Sequence, residues 1–431
     1  MRKSPPTTSQ RHPWVASAAW GWRLEITIAA LALLALIIAG EVNQFAPIAV
    51  AVVVGIALWQ SPRIRHDLQQ RIDFNHNVAV LERALWHCGI VGRHGDIPRV
   101  AKIASLPVGV RYLVRVPIGL HCEAIEARSA EIAVALGARE VVVKPLPQAA
   151  HYVEIATIFR NAFPQLLRSP LVSRESTSLW DPINLGVARD GSSVRLTLPE
   201  HNILIGGEPG AGKSVVLSTI VASAALDPRT SITLLDGKQV ELAAWAPVAQ
   251  HFVGPNQEGA IKALDEVRLI MEERYQELLE SGRRKITSAD ERSLHLVVID
   301  ELAFYLRGGK KEQRDSFAEA LRDLVSRGRA AGVIVVAATQ KPSHEIVPTW
   351  IRDLFAYRLA MRCTSSDASD TILGQGWAQQ GYSAATIDPA QRGVGYLLAE
   401  GGTPVLLKTP FLSDEEIDEL AERAAILRSA R

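Results

Sequence analysis

The stretch Gly207-Glu208-Pro209-Gly210-Ala211-Gly212-Lys213-Ser214-Val215 has the residue types and spacing of a loop that holds phosphate, Gly-x-x-x-x-Gly-Lys-Ser. Glycine lets the backbone turn its N–H groups inward around phosphate oxygens, and a helix starting at the lysine adds the partial positive charge of its N-terminus. Lys213 would then reach the β- and γ-phosphates, and the Ser214 hydroxyl is placed to ligate Mg²⁺. The flanks suit that geometry: HNILIGG (201–207) reads as a strand entering the loop and SVVLSTIVASAAL (214–226) as the helix leaving it. The cofactors implied are ATP and Mg²⁺.

Hydrolysis needs an acidic partner on a neighbouring strand, and LHLVVIDELAF (294–304) supplies it. A buried apolar run ends in Asp300, which would hold Mg²⁺ through water, and Glu301, placed as the general base that polarises the attacking water. SITLLDGKQVEL (231–242) and GVIVVAATQKP (332–342) read as two further strands. Gln340, at the tip of the second, is the candidate sensor of the γ-phosphate. Between these strands run helical patterns, including 258–280 with apolar residues at 261, 264, 267, 271, 275 and 278. The alternation predicts an α/β domain with a doubly wound, mostly parallel sheet.

The rest of the 431-residue chain places this domain. A formal net charge of +1 gives no global reason for nucleic-acid binding, so any such contact must be local. The three cysteines, Cys88, Cys122 and Cys363, are too scattered for a disulfide framework, and His87-Cys88 with His121-Cys122 does not follow zinc-finger spacing. Two apolar runs, 24–40 and 45–59, separated by EVNQ, predict a transmembrane hairpin over 24–60. Arg2, Lys3, Arg11 and Arg23 before it and Arg63, Arg65 and Arg71 after it put both termini in the cytoplasm, making this a cell-membrane protein with two spans. The expected order is a cytoplasmic tail (1–23), the hairpin (24–60), a connecting helix (61–84), a small α+β domain (85–180), the ATPase motor (181–412) and a C-terminal helix (413–431).

Further segments carry a family resemblance. DGKQVEL (236–242), EERY (272–275), VVIDELA (297–303), GGKK (308–311), RGRAAGV (327–333), ATQKPS (338–343) and YRLAMRCTSSDASDTILGQGWA (357–378) follow one another in an order that resembles the motor of the FtsK/SpoIIIE family of membrane-anchored DNA translocases. The resemblance spans about 85–412 and implies a RecA-like P-loop motor working as a homo-hexameric ring, with ATP between subunits and double-stranded DNA in the central channel. It also implies an arginine completing each site from the neighbouring subunit. Arg329 and Arg358 are the candidates, with Arg362 behind them, and Lys310 and Lys311 are candidate DNA contacts, as is the basic loop 281–288.

The chain departs from the family pattern at Glu208-Pro209 in the phosphate loop, at Gly237 in place of proline and at Lys341 in place of arginine. A compact layout of two membrane helices and one motor, ending in a single amphipathic helix without a winged-helix module, resembles the conjugal plasmid-transfer (TraB/TraSA-like) branch of actinobacteria. The function expected is ATP-driven translocation of double-stranded DNA at the cytoplasmic membrane, with other transfer proteins as partners. The motor of a type VII-like protein-secretion system is the alternative, and a non-enzymatic membrane anchor for DNA stands behind both.

Overall fold

The computed structural model describes residues 76–430 apart from 147, 162 and 291–293. The expected hairpin at 24–60 and most of the connection at 61–84 lie outside the described residues; among those described, no helix is long and apolar enough to cross a membrane. The chain divides into two compact units, Met1–Asn161 and Ala162–Arg431. The division falls before the expected 180/181 boundary, because Leu171 and Leu179 are buried in the core of the larger unit.

The smaller unit contains helix α1 (76–87), strands β1 (Arg99–Leu106) and β2 (Gly109–Arg115), helices α2 (Cys122–Glu126) and α3 (Ser129–Leu136), and strands β3 (Glu140–Pro145) and β4 (Tyr152–Ile158). The strands form an antiparallel sheet in the order β1-β2-β4-β3. Alternate residues, Tyr112 and Val114 on β2, Val141 and Val143 on β3, and Val153 and Ile155 on β4, meet Leu81 and Leu85 of α1 and Ile125 and Ile132 of the short helices. Residues 122–136 form two short helices, α2 and α3, in place of one continuous one.

The larger unit runs β5 (Ile183–Ala188), β6 (Ser193–Leu196), β7 (Ile203–Gly206), α4 (Lys213–Ala225), β8 (Ser231–Leu235), β9 (His251–Val253), α5 (Gln257–Glu280) and β10 (His295–Ile299). It continues through α6 (Leu302–Arg307), α7 (Lys311–Arg327), β11 (Val333–Thr339), α8 (Thr349–Arg352), β12 (Tyr357–Met361) and α9 (Ser366–Leu373), then β13 (Val394–Leu398), β14 (Val405–Lys408) and α10 (Asp414–Ser429). Its ten-stranded sheet has the order β6-β5-β14-β13-β12-β7-β11-β10-β8-β9. From β12 to β9 every neighbouring pair is parallel, and from β12 to β6 every pair is antiparallel.

The uninterrupted apolar character of the central strands follows from burial on both faces. Ile203 and Ile205 of β7, Leu296 and Val298 of β10, and Ile334 and Val336 of β11 face Leu217 and Ile220 of α4 and Leu420 of α10. Leu204, Val297, Ile299, Val333 and Val335 face the opposite way, against Leu264 of α5, Phe317 and Leu321 of α7, and Ile372 of α9.

Helix α10, expected as a separate C-terminal element, is part of this core. Its Arg428 donates to the carbonyl oxygens of Ala224, Ala225, Asp227 and Thr230 at 2.8–3.0 Å, capping the C-terminus of the helix that begins at the phosphate loop. A cation there complements both the orphan carbonyls and the negative end of the helix. Arg428→Ala should therefore destabilise the larger unit by about 2 kcal/mol, read as a fall of roughly 4–8 °C in melting temperature.

Candidate nucleotide site

Strand β7 ends at Gly206, and α4 begins at Lys213 with Gly212 as its N-cap. Gly212 holds φ at 111°, and a Cβ there would stand 3.0 Å from the Cα of Gly393, so both the conformation and the close approach exclude a side chain. Gly393 N donates to Ala211 O at 3.0 Å and pins the loop to the segment leading into β13.

Lys213 is buried, and its ammonium donates to the carbonyl oxygens of Gly207 at 2.6 Å and Glu208 at 2.9 Å. Burial, helped by the nearby Lys238, lowers its pKa to about 8, against the opposing pull of Glu301, Asp300 and Glu241. These charges belong to one site even though they come from three strands.

Asp300 and Glu301 follow β10, on the same edge of the sheet as the loop. The expectation of neighbouring strands is corrected here: β11 lies between β7 and β10. At about 4.8 Å per strand, two steps leave roughly 10 Å between the strand carrying the loop and the strand carrying the acids.

Glu301 is held by both oxygens. Oε1 accepts from Thr339 Oγ1 at 2.9 Å and from Ala303 N at 3.3 Å, so the residue also caps α6, while Oε2 accepts from Gln340 N at 3.1 Å. Gln340 thus sits at the tip of the strand next to β7, with its backbone engaged by the carboxylate.

Asp300 is 2% exposed, and its Oδ2 receives no hydrogen bond among the described residues, with the Lys238 ammonium 3.6 Å away. Burial raises its pKa to about 6, the approach of Lys238 opposing that rise. Asp236 is spent on its own turn, accepting from the N–H groups of Lys238, Gln239 and Leu242 at 2.8–3.1 Å. An orphaned carboxylate oxygen together with the Ser214 hydroxyl is a hard-oxygen donor set that fits Mg²⁺. Bound there, Mg²⁺ would neutralise charge between the β- and γ-phosphates.

The other candidates are elsewhere. Arg329 lies in the turn before β11, on the opposite edge of the sheet, paired with Glu200 at 3.7 Å; Lys285 of the 281–288 loop pairs with the same carboxylate at 2.5 Å. Arg358 lies within β12, opposite Leu204, with Asp353 at 3.8 Å and its Nε buried without a hydrogen bond among the described residues; burial and the neighbouring Arg352 lower its pKa. Arg362 is paired at 2.5 Å with Glu208 of the loop itself. None of the three arginines lines the cavity that contains Lys213. Lys310 and Lys311 are exposed at the N-terminus of α7.

That cavity, about 480 Å³, contains Gly210 and Gly212–Val215 together with residues the sequence did not flag: Leu166, Arg392, Lys408, Thr409 and Phe411. None belongs to a motif. The only hint was the turn-forming Thr409-Pro410 after an apolar run.

A phosphate loop between a central parallel strand and a helix, with an acidic pair two strands away, defines a P-loop ATPase. The model of the FtsK/SpoIIIE family matches residues 172–393, and the chain belongs to that family. Among curated relatives, the DNA translocase FtsK of Listeria monocytogenes is 27% identical over 350 residues, covering 74% of this chain and 44% of the relative. That of Bacillus cereus is 26% identical over 389 residues, covering 84% and 46%. The chain spans less than half the length of these relatives.

Of the solved structures, the pCW3 conjugation coupling protein TcpA, a monomer form with ATPγS, aligns with a TM-score of 0.54 and 19% identity over 81% of this chain and 99% of its own. ATPases 2 and 3 of EssC from Geobacillus thermodenitrificans align with a TM-score of 0.51 and 18% identity over 62% of this chain and 52% of theirs. At these identities the likeness is one of fold.

The raised pKa of Asp300 has a stability consequence with a definite sign. A buried acid whose folded pKa lies above its unfolded value contributes stability that is fully present below about pH 4 and is lost as pH rises through about 6. Without nucleotide and Mg²⁺, Asp300→Asn should be more stable than the wild type at pH 7.5 by on the order of 2–3 kcal/mol. Denaturant titrations across pH should show the gap closing toward pH 4; a constant gap would contradict the assignment.

Proposed function

We propose that this protein is a membrane-anchored, ATP-driven translocase of double-stranded DNA, acting in conjugal transfer of a plasmid or integrated element as a homo-hexameric ring. The observation that carries the DNA cargo is the extent of similarity to proteins named DNA translocase FtsK, 74% and 84% of this chain against two of them. The membrane anchor rests on the apolar runs at 24–40 and 45–59. The conjugal role is supported by the fold likeness to a conjugation coupling protein over 99% of that chain.

In this reading Lys213 exchanges the carbonyl oxygens of Gly207 and Glu208 for phosphate oxygens, and Glu301 leaves Thr339 to orient the attacking water. Gln340, whose backbone holds Glu301, links the γ-phosphate to the base. A cation for the transition state comes from a second copy, because Arg329 sits on the edge of the sheet away from its own loop. Lys310 and Lys311 add charge to the positive end of the α7 dipole, which favours a phosphate backbone.

A second reading, the motor of a type VII-like protein-secretion system, is favoured by the likeness to EssC. The two part on cargo. In detergent, ATP turnover of the full-length protein should rise at least about tenfold with long duplex DNA, toward the roughly 1–10³ per second of working enzymes, and secreted helical proteins should leave it unchanged. Glu301→Gln should lower turnover by about 10²–10⁴ with nucleotide binding intact. Lys310→Ala with Lys311→Ala should raise the DNA concentration for half-maximal stimulation and reduce the salt slope by about 2. Turnover indifferent to duplex of any length sinks the DNA reading.

A further inference from the structure

We propose that Leu166 and Phe411 form a clamp for the aromatic base of the nucleotide, and that this clamp sets the preference for a nucleoside triphosphate over bare polyphosphate. The inference rests on the nucleotide reading of the phosphate loop and extends it to the half of the ligand that the loop does not touch.

Two cavities open from the loop. One, about 540 Å³, lies beyond Glu208 and Pro209 and presents the carboxylates of Glu208 and Asp367 with the side chains of Ser343, His344 and Ser365. The other, about 480 Å³, takes in Lys213, Ser214 and Val215 at the start of α4 and continues to Leu166, Arg392, Lys408 and Phe411. Charge decides between them. A nucleoside arrives attached to an anionic phosphate, so it is received by the second cavity, where Lys213, Arg392 and Lys408 outnumber the single carboxylate of Glu241 beside two large apolar side chains. In the first, Glu208 is paired with Arg362, and the remaining charges, Asp367 and Lys341, balance. Chain order agrees, since the N–H groups of the first turn of α4 grip the phosphates that lead to the nucleoside.

Phe411 is 43% exposed and Leu166 is 52% exposed, yet both lie on segments with fixed backbones. Phe411 N donates to Leu167 O at 2.7 Å, and Arg168 and Phe411 form a parallel β-bridge. Behind them, β14 pairs Leu407 with Ala188 and Lys408 with Val187. Lys408 is 7% exposed and donates to Arg392 O at 3.0 Å, which ties the cavity wall to the segment that pins the loop. Two exposed apolar side chains held in place on one cavity are partners for a flat apolar surface, which an aromatic base supplies and a phosphate chain does not.

The test compares ATP with inorganic tripolyphosphate as ligands of the full-length protein by calorimetry. Phe411→Ala should weaken ATP about tenfold and leave tripolyphosphate within about twofold, and Phe411→Trp should keep ATP near wild type. Lys213→Ala should weaken both ligands. The clamp is overturned if Phe411→Ala leaves ATP unchanged, if it weakens both ligands equally, or if Phe411→Trp behaves like Phe411→Ala. It is also overturned if the wild type binds tripolyphosphate as tightly as ATP, an outcome that leaves the phosphate loop's role standing. A wild type that binds neither ligand overturns the nucleotide reading along with the clamp.

Discussion

Two buried charges of opposite sign govern this structure. Lys213 and Asp300 are each drawn toward neutrality by burial, the lysine to a pKa of about 8 and the aspartate to about 6. Neither is fully compensated: Lys213 turns back on its own loop carbonyls, and Asp300 Oδ2 has the Lys238 ammonium at 3.6 Å but, among the described residues, no hydrogen bond. Taking ions out of water costs several kcal/mol unless partners are supplied, so such a site is held in tension by the rest of the fold. A polyanion carrying a divalent cation supplies both missing partners at once.

The sheet makes that tension sustainable. Strands β7, β11 and β10 are covered on both faces, so their C-terminal tips are the points where polar chemistry can emerge from a rigid core. Thr339 and Gln340 on the middle tip hold both oxygens of Glu301, coupling the acidic strand to the strand next to the loop. On the far side, Arg428 of the last helix closes the other end of α4. The phosphate loop is thus fixed from its strand, through Gly393, and from the end of its helix.

What the sequence made legible follows from this arrangement. The central strands and their tips could be read because fully buried strands are continuous apolar runs, and the polar residues that end them stand out. The antiparallel strands β5, β6 and β14 lack that signature, being mixed in burial, and of the unflagged cavity wall Lys408 lies on β14 while Leu166, Arg392, Thr409 and Phe411 lie on connecting segments that carry no such pattern. Spatial strand order was hidden too. That β11 separates β7 from β10 is a matter of crossover topology, which residue types in single strands do not encode. Likewise Leu171 and Leu179 look like boundary sequence until the core they enter is known.

Glu208 shows how a departure from pattern is absorbed. A carboxylate inside a phosphate-binding loop should repel its ligand, and burying it unpaired would be costly. Arg362, following β12, meets it at 2.5 Å, while Glu208 N donates to Arg362 O at 2.9 Å, so side chain and backbone are pinned to the same residue. The carboxylate is thereby neutralised locally and lines the neighbouring cavity, not the one that contains Lys213. The same pairing occupies Arg362 within its own chain. An unusual residue in the loop and the arginine that answers it are best understood as one feature, and neither can be interpreted from the motif alone.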